Sequence, residues 1–372
     1  MQVETLIYAY LAICTAMIAF NCACILVFRR RNTALQKRSS RLEEAVLAQM
    51  ERIRAGQPVE LRHMEFLEKK LRRTVHLMAF DETLDRLRAA EPEAAELYLW
   101  EIGPVFTHLA MENKYHGSIK MTYFAYVISK YRVVRGKPVH VILDLMMKLL
   151  QEPSLYCREN ALQVIYSTGD CGWVLRALAE VDGSGRFHHA KLLTDGLLSF
   201  GGDPAQLADA LWRDFEKYST HMQVVILDYF RFSGRQMQEE LLQLLADPRR
   251  DDELRFSCIR YFGKFPYEPA YPLLLAFVKD DEEERWEYAA IAAMALAAYP
   301  GARSTEVLKR ALSSSNWYVR FNAAKSLEAF HLTYWELSDV LDSNDRYARE
   351  ILQYRLDMKN AQEAQGKEAA PV

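Results

Sequence analysis

A pair of adjacent histidines and several cysteines are the residues whose types could hold a metal ion. His188 and His189 are neighbours, and Cys157 and Cys171 precede them in the chain. Adjacent residues of a helix point about 100° apart, so the two imidazoles would not face one ion together. Structural zinc sites need four ligands that converge on the ion, usually at regular spacing. The sequence therefore predicts neither a metal site nor any other cofactor.

Signatures of catalysis are missing from the sequence. The chain contains no Gly-x-Gly-x-x-Gly, no phosphate loop, no nucleophile elbow and no His-Glu-x-x-His. The acidic run at residues 280–284 has the charge to bind a cation or a basic partner. The same run precedes a predicted helix, where acidic side chains interact favourably with the helix dipole. We therefore predict no catalytic residue and a protein that is not an enzyme.

The elements that would position any site repeat along the chain. Residues 316–330 form an amphipathic pattern, in which Val319, Ala323, Leu327 and Phe330 share one helical face. Positions equivalent to Leu327 recur towards the N-terminus at steps of 31, 34, 32, 32, 33 and 37 residues, at Leu296, Phe262, Phe230, Leu198, Ile165 and Ile128. A second helical pattern lies between these anchors, as at residues 139–150, 205–218, 237–246 and 271–278. A period in the thirties built from helix pairs is typical of a solenoid.

Two of these helix pairs resemble HEAT repeats, in the short form first noted in phycobilin lyases. Residues 272–280 and 289–296 form one pair, and Val307–Leu312 with Val319, Arg320, Ala323 and Ala324 forms the other. The resemblance covers residues 251–330 well and 118–234 less closely. It implies an all-α fold, an α-solenoid of stacked helix pairs, and it specifies architecture rather than activity.

A series of basic residues occupies one register position, seven residues before the anchors. Its members are Arg158, Lys191, Arg255 and Arg320, and the series is interrupted by Gln223 and Ala289. In HEAT repeats the matching arginine generally bonds within the stack, so the resemblance implies a structural role. A stripe that binds phosphate or carboxylate groups is the alternative.

The N-terminal segment predicts a transmembrane helix. Residues 5–28 contain no charged side chain, and about 36 Å of helix suffices to span a bilayer. Arg29, Arg30 and Arg31 follow at once, which by the positive-inside rule predicts an external N-terminus at residues 1–4 and a cytoplasmic repeat domain. A cleaved signal peptide would carry its positive charge before the apolar run. We therefore expect a single-pass protein of the cell membrane.

The remaining segments flank the predicted solenoid. Residues 29–115 read as a basic juxtamembrane segment followed by a helical neck or N-terminal cap, in which Leu42, Val46, Met50 and Ile53 form a narrow apolar stripe. That stripe fits a coiled-coil seam, a membrane-surface helix or a docking strut. Residues 116–358 form the predicted solenoid with its C-terminal cap, and residues 359–372 have the composition of a disordered tail.

The favoured function is a non-catalytic membrane scaffold that binds a protein partner. A stack of helix pairs curves, so residues early in the second helices should line a concave face. The predicted partner-binding residues are Tyr123, Asn160, His188, His189, Val224, Phe256, Trp286, Glu287, Trp317 and Phe321. This layout is similar to that of accessory subunits of bacterial envelope machinery, such as membrane polysaccharide synthases. The alternatives are an enzyme resembling HEAT-type bilin lyases and a nucleic-acid binder resembling HEAT-like DNA glycosylases. A formal net charge of −3 opposes the nucleic-acid alternative.

Overall fold

All regular secondary structure is helical over the residues that the computed structural model describes. Those residues are 3–112, 118–136, 139–279 and 283–368, and none of them lies in a β-strand. The α-helices are α1 (Val3–Arg54), α2 (Leu61–Leu71), α3 (Thr74–Ala90), α4 (Pro92–Glu101), α5 (Gly103–Glu112), α6 (Ser118–Lys130), α7 (His140–Leu149), α8 (Leu155–Ser167), α9 (Cys171–Gly183), α10 (Ala190–Leu198), α11 (Pro204–Arg213), α12 (Thr220–Ser233), α13 (Gln238–Ala246), α14 (Asp252–Lys264), α15 (Tyr271–Lys279), α16 (Trp286–Ala295), α17 (Ala302–Ala311), α18 (Trp317–Ala329), α19 (Tyr334–Leu341) and α20 (Arg346–Glu368). The all-α class predicted from the sequence is confirmed.

The first helix, α1, is one continuous helix of 52 residues whose two halves differ in burial. Its segment Tyr10–Val27 is long and apolar enough to cross a membrane, and none of that segment is buried by the rest of the protein. Near the other end Leu42, Val46 and Met50 are buried, and α1 packs there against α3 and α4. The apolar stripe of α1 therefore packs against other helices of the protein, which agrees with the third alternative, a docking strut.

The predicted helical neck contains four shorter helices, α2 to α5, after α1. An apolar pattern runs through residues 61–78, but α2 ends at Leu71 and α3 begins at Thr74. Leu67 and Leu71 are buried, whereas Leu61 is exposed. Between α4 and α5 the helix is interrupted at Ile102, because Pro104 has no N–H to donate and disfavours helical geometry just before it.

The chain divides into two compact units. Unit 1 comprises Met1–Ser184 with Ser199–Gly202, and unit 2 comprises Gly185–Leu198 with Asp203–Val372. Within unit 1, α5 packs against α7, and α6 packs against both α3 and α8. The predicted neck and the first predicted repeats therefore share one unit, so the compact units do not divide at residue 115.

In unit 2 the second helix of each pair packs on the second helix of the next. Contacts run in order through α10, α12, α14, α16, α18 and α20, while α13, α15, α17 and α19 each pack on the helix that follows. Polar side chains tie the sequence of second helices together. Asn322 Nδ2 donates to the Ala290 carbonyl at 2.8 Å, and Ser326 Oγ donates to the Ala293 carbonyl at 2.8 Å. Because Asn322 and Ser326 are one turn apart, both bonds join the same faces of α18 and α16.

The register predicted from the sequence is largely correct. The anchors Ile128, Ile165, Phe230, Phe262, Leu296 and Leu327 are all fully buried. Leu198 departs from it, since 42 % of its surface is exposed while Leu197 is buried. The cause is local: Leu198 is the last residue of α10, where the chain leaves the helix for the turn at Gly201 and Gly202.

The C-terminal helix continues further than composition indicated. A disordered segment was predicted from residue 359, but α20 runs to Glu368, and residues 369–372 lie outside the described part. Ala, Gln and Glu dominate residues 361–368, and these residue types have high helix propensity.

Candidate functional site

The predicted partner-binding residues fall into both units. Tyr123 and Asn160 belong to unit 1, and the other eight belong to unit 2. Among those eight, Trp286, Trp317 and Phe321 belong to one cluster of aromatic rings, which Tyr318 joins together. Since this is the group that the structure brings together, we take it as the candidate site.

The aromatic surface, as we name this cluster of Trp286, Trp317, Tyr318, Phe321 and Tyr347, lies at the N-terminal ends of α16, α18 and α20. Trp286 stacks on Tyr318 with ring centroids 5.6 Å apart, and Trp317 stacks on Phe321 at 4.9 Å. The Trp317 and Tyr318 rings meet edge to face at 5.2 Å. Half of Trp317 and 57 % of Tyr318 remain exposed to solvent. Such rings hold each other in place while still offering apolar area to a partner.

The start of α18 explains why these rings are at the surface. Asn316 caps the helix, its side-chain oxygen accepting a hydrogen bond from the Tyr318 N–H at 2.8 Å. Val319, Ala323 and Leu327 then form the buried face. Trp317 and Tyr318 precede Val319 on the opposite side of the first turn, so the packing of α18 directs them outwards.

Two guanidinium groups border the aromatic surface. Arg320 lies 5.4 Å from the ring centre of Tyr347, and Arg355 lies 5.4 Å from that of Phe321. Arg355 is also paired with Glu328 at 2.6 Å. These cation–π contacts add positive edges to an apolar patch, which is the composition typical of interface hot spots.

Sequence reasoning missed Tyr318 and Tyr347, the two most exposed rings of the surface. A signal for both was present. Residues 344–349 repeat the opening of residues 316–320 with a step of 29, and this step places Tyr347 at the position of Tyr318. The repeat was used to predict a C-terminal cap, although it also marks a second exposed tyrosine at the start of a second helix.

Tyr123 of unit 1 belongs to a polar cluster rather than to an open surface. Its hydroxyl donates to Asp81 Oδ2 at 2.6 Å, and Asp81 also accepts from Lys130 Nζ at 2.8 Å and from the Tyr131 hydroxyl at 2.7 Å. Burial, together with the hydrogen bond to Asp81, raises the pKa of Tyr123 well above its ordinary value. Burial alone would lower the pKa of Lys130, but its hydrogen bonds to Asp81 and Asp85 outweigh that effect and raise it. This polar cluster (Asp81, Asp85, Tyr123, Lys130 and Tyr131) joins α3 to α6.

Asn160 and Phe256 also serve packing. Asn160 Nδ2 donates to the Thr122 carbonyl at 3.4 Å, which links α8 to α6. Phe256 was predicted to face a partner, but it is buried and meets Tyr288 edge to face at 4.7 Å. Phe256 does lie early in α14, as predicted, but the ring of Tyr288 from α16 covers it. Phe256 is therefore a core residue.

The histidine pair does not form a single site. His188 is buried, and its carbonyl oxygen lies 2.9 Å from His221 Nε2. His189 is exposed, with Nδ1 accepting a hydrogen bond from the Lys191 N–H at 3.2 Å. Val224 is half-buried, and Glu287 is exposed beside Trp286 at the start of α16.

The basic series has a structural role at three of its four positions. Arg158 donates to the carbonyls of Glu152 and Pro153, Arg255 to that of Leu245, and Arg320 to those of Ser314 and Ser315. Each guanidinium thus bonds the turn that precedes its own helix. Gln223, which interrupts the charge pattern, makes the same kind of bond to the Phe215 carbonyl at 3.0 Å, and Arg349 does so to Ser343. Lys191 is exposed.

Reactive and metal-ligating groups do not converge among the described residues. No group of three or more His, Cys, Asp or Glu side chains there could hold a metal ion. Burial raises the pKa of Cys258 to about 12, so its thiol stays protonated at neutral pH. Burial also raises the pKa of Cys157. Of the acidic run, residues 280–282 lie outside the described part of the chain.

Comparisons with known proteins add no relative to this description. No protein-family model matches the chain, and no curated protein matches it.

Proposed function

We propose that this protein is a non-catalytic, membrane-tethered scaffold that binds a protein partner through the aromatic surface of unit 2. The observation that carries the proposal is the mutual stacking of Trp286, Trp317, Tyr318 and Phe321 at the protein surface, with two of the rings at least half exposed. Aromatic and arginine side chains supply most of the binding energy in protein interfaces. Rings that are already held in place lose little conformational freedom on binding.

The proposed architecture is an α-solenoid of HEAT-like helix pairs. Three features of unit 2 support it: consecutive second helices pack on one another, each first helix packs on its second, and an arginine or glutamine bonds the turn inside each of several pairs. A solenoid depends on contacts between neighbouring repeats. The helices of unit 2 make contacts of this kind, in the order in which they follow one another in the chain.

The proposed ligand is a protein rather than a nucleic acid. Recognition of a phosphate backbone needs arginines and lysines that are free to contact it. Arg158, Arg255 and Arg320 instead donate to carbonyl oxygens of their own turns. The net charge of −3 leaves no general excess of positive charge to attract a polyanion.

The proposed topology places the N-terminus outside and both units in the cytoplasm of a single-pass membrane protein. It is supported by the apolar segment Tyr10–Val27 and by the three arginines that follow residue 28. A cysteine introduced near residue 357 should be protected from a membrane-impermeant reagent in intact cells. Labelling of that cysteine before lysis would overturn the topology.

Membrane attachment would also strengthen a weak interaction. A scaffold confined to the bilayer meets partners of the same membrane at a high effective concentration. The aromatic surface therefore does not need high intrinsic affinity to act.

The test is photo-crosslinking from within the aromatic surface in intact cells. A photoreactive residue replacing Tyr318 should give an adduct with one defined protein, identified by mass spectrometry. The double substitution Trp286→Ala with Trp317→Ala should abolish that adduct, because it removes one ring from each of the two stacks. The helical circular-dichroism signal and the membrane fraction should stay unchanged.

A matched control is available on α19. Trp335 is 84 % exposed and lies outside the aromatic surface. Trp335→Ala should leave the adduct intact, and a photoreactive residue at position 335 should not capture the same protein. Persistence of the adduct in a folded double mutant would refute the assignment of the surface.

A further inference from the structure

A small polar cavity lies in unit 1, far in sequence from the aromatic surface. Its volume is about 60 Å³, and it is lined by Ser129, Arg132, Arg135, Gln163, Ser167, Ser199 and Gly201. It is open to solvent, since Arg132, Arg135, Ser199 and Gly201 are all exposed. Two lining residues are cationic, three carry hydroxyl groups and none of the seven is acidic. The cavity therefore offers hydrogen-bond donors and positive charge to a small group with several oxygen atoms.

The backbone of Arg132 is the second observation. Arg132 has φ of 49°, in the left-handed region that disfavours residues with a Cβ. It stands four residues after the anchor Ile128, directly beyond α6. The same register position holds Gly169 after α8 and Gly234 after α12, with φ of 75° and 79°. Glycine is the ordinary choice at this position, because a left-handed residue ends the helix. At the end of α6 an arginine occupies it despite the conformational cost.

Helix capping does not account for this arginine. The carbonyls at the ends of the surrounding helices already accept hydrogen bonds from the backbone. Val133 N–H donates to Ile128 at 3.1 Å, Arg132 N–H donates to Ser129 at 3.0 Å, and Gly201 N–H donates to Tyr166 at 2.9 Å. A glycine at position 132 would supply the same N–H. The side chain is thus what the arginine adds, and that side chain lines the cavity.

We propose that this cavity binds a phosphate group, in the form of a phosphate monoester or inorganic phosphate. Guanidinium groups present planar pairs of N–H donors that match phosphate oxygens, and the charge of two arginines balances a dianion. The Ser129 hydroxyl can rotate to donate to a remaining oxygen. The hydroxyls of Ser167 and Ser199 donate to the Val164 carbonyl and to Gln163 Oε1 and would have to exchange these acceptors for phosphate. The volume is sufficient for the phosphate group itself.

The test measures binding of inorganic phosphate to the full-length protein in detergent by calorimetry, with chloride at equal ionic strength as the reference. The wild-type protein should bind one phosphate saturably at millimolar concentration or below. Arg132→Gly should raise the Kd at least tenfold, and Arg135→Gln should raise it by a similar factor. Since glycine occupies the equivalent left-handed position after α8 and after α12, Arg132→Gly should keep or raise the unfolding temperature.

A control variant separates loss of the ligand group from relief of backbone strain. His331 also follows its anchor by four residues and has φ of 55°, but it lies in unit 2 and does not line the cavity. His331→Gly should relax the backbone in the same way and leave the Kd for phosphate unchanged. Phosphate binding by Arg132→Gly at the wild-type Kd would overturn the proposal, as would a wild-type protein without saturable binding.

A second arm identifies the source of the phosphate group. The protein is placed in phosphatidylcholine nanodiscs with or without phosphatidic acid, and inorganic phosphate is titrated into each. If the natural ligand is a soluble phosphate compound, inorganic phosphate should bind with the same Kd in both kinds of nanodisc. If it is a lipid headgroup, phosphatidic acid should compete with inorganic phosphate, and Arg132→Gly should abolish that competition. Phosphatidic acid that competes equally well in both proteins would contradict a headgroup bound in this cavity.

Discussion

The polar cluster of unit 1 and the aromatic surface of unit 2 arise from the same place in the repeat pattern. Tyr123 of α6 and Trp317 of α18 both lie in the first half of a second helix, and both were predicted to face a partner. The Tyr123 hydroxyl is bound by Asp81 from α3, whereas Trp317 meets the rings of Tyr318 and Phe321 and is half exposed. Position in a helix pair therefore predicts which side a residue occupies. A neighbouring element then decides whether that side remains free.

The largest expected effect concerns the polar cluster. Asp81→Ala removes the acceptor shared by Tyr123, Lys130 and Tyr131, all within 2.8 Å of its side chain. Loss of one partner from a buried charged network should lower the free energy of unfolding by about 3–5 kcal/mol. Denaturant unfolding of the full-length protein in detergent measures this difference.

Asp85→Ala is the control for this cluster. Half of the Asp85 side chain is exposed, so its pair with Lys130 should contribute only about 0–1 kcal/mol. If the two aspartates had equal effects, Tyr123 would not be fixed by Asp81. The contrast with Trp317 would then lose its physical basis.

The next effect concerns the buried face of α18, opposite the aromatic surface. Leu327 is fully buried, and Leu327→Ala should cost about 2–5 kcal/mol through lost burial and the cavity left behind. Leu198→Ala makes the same chemical change at an equivalent register position. Because Leu198 is 42 % exposed, its cost should stay below about 1 kcal/mol.

Thermal melts followed by circular dichroism distinguish these two leucines. A large loss for Leu327 and a small one for Leu198 would support the assignment of Leu327 to the buried face of α18. Similar losses at both positions would mean that the register, and with it the outward direction of Trp317, is misassigned.

The fold could be predicted further than the site, for a physical reason. Burial of anchors such as Leu327 and Ile128 follows from the spacing of apolar residues within one helix, and spacing is visible in the sequence. The cap at Asn316 and the turn at Gly201 and Gly202, between α10 and α11, also depend on residues next to them in the chain. Local rules fail at α2 and α3, where an apolar pattern crosses a break between two helices.

The site depends on contacts between residues distant in sequence, which spacing does not encode. Nothing near Phe256 in the chain reveals that Tyr288 covers it, and nothing near Tyr123 reveals Asp81. The arginine series shows the opposite case. Gln223 breaks its charge pattern but keeps its hydrogen bond, because a side-chain N–H is what the preceding turn needs.

Apart from the two control substitutions, the smallest expected effect on stability concerns His63. This residue forms a second pair in unit 1 in which an aromatic residue meets a buried polar group. His63 is buried, and one of its ring nitrogens lies 2.7 Å from the Tyr98 hydroxyl. Burial lowers the pKa of His63 to about 4, with the charge of Glu60 opposing this only in part. In the unfolded chain the pKa of this histidine returns to about 6.5. Between these two values the unfolded state binds more protons, so the contribution of His63 to stability is complete above pH 6.5 and declines as the pH falls towards 4.

Over that window the decline should reach about 2–3 kcal/mol, allowing for solvent screening. His63→Gln keeps a polar group beside Tyr98 but cannot take up a proton, so it should unfold with a shallower dependence on pH between 6.5 and 4. Denaturant titrations of both proteins across this range provide the comparison, in which the carboxylates common to both cancel. Parallel curves would show that His63 takes up its proton in the folded protein as readily as in the unfolded chain. His63 beside Tyr98 would then be open to solvent, as the exposed rings of α18 are, and would not be enclosed by its neighbours like the polar cluster of α3 and α6.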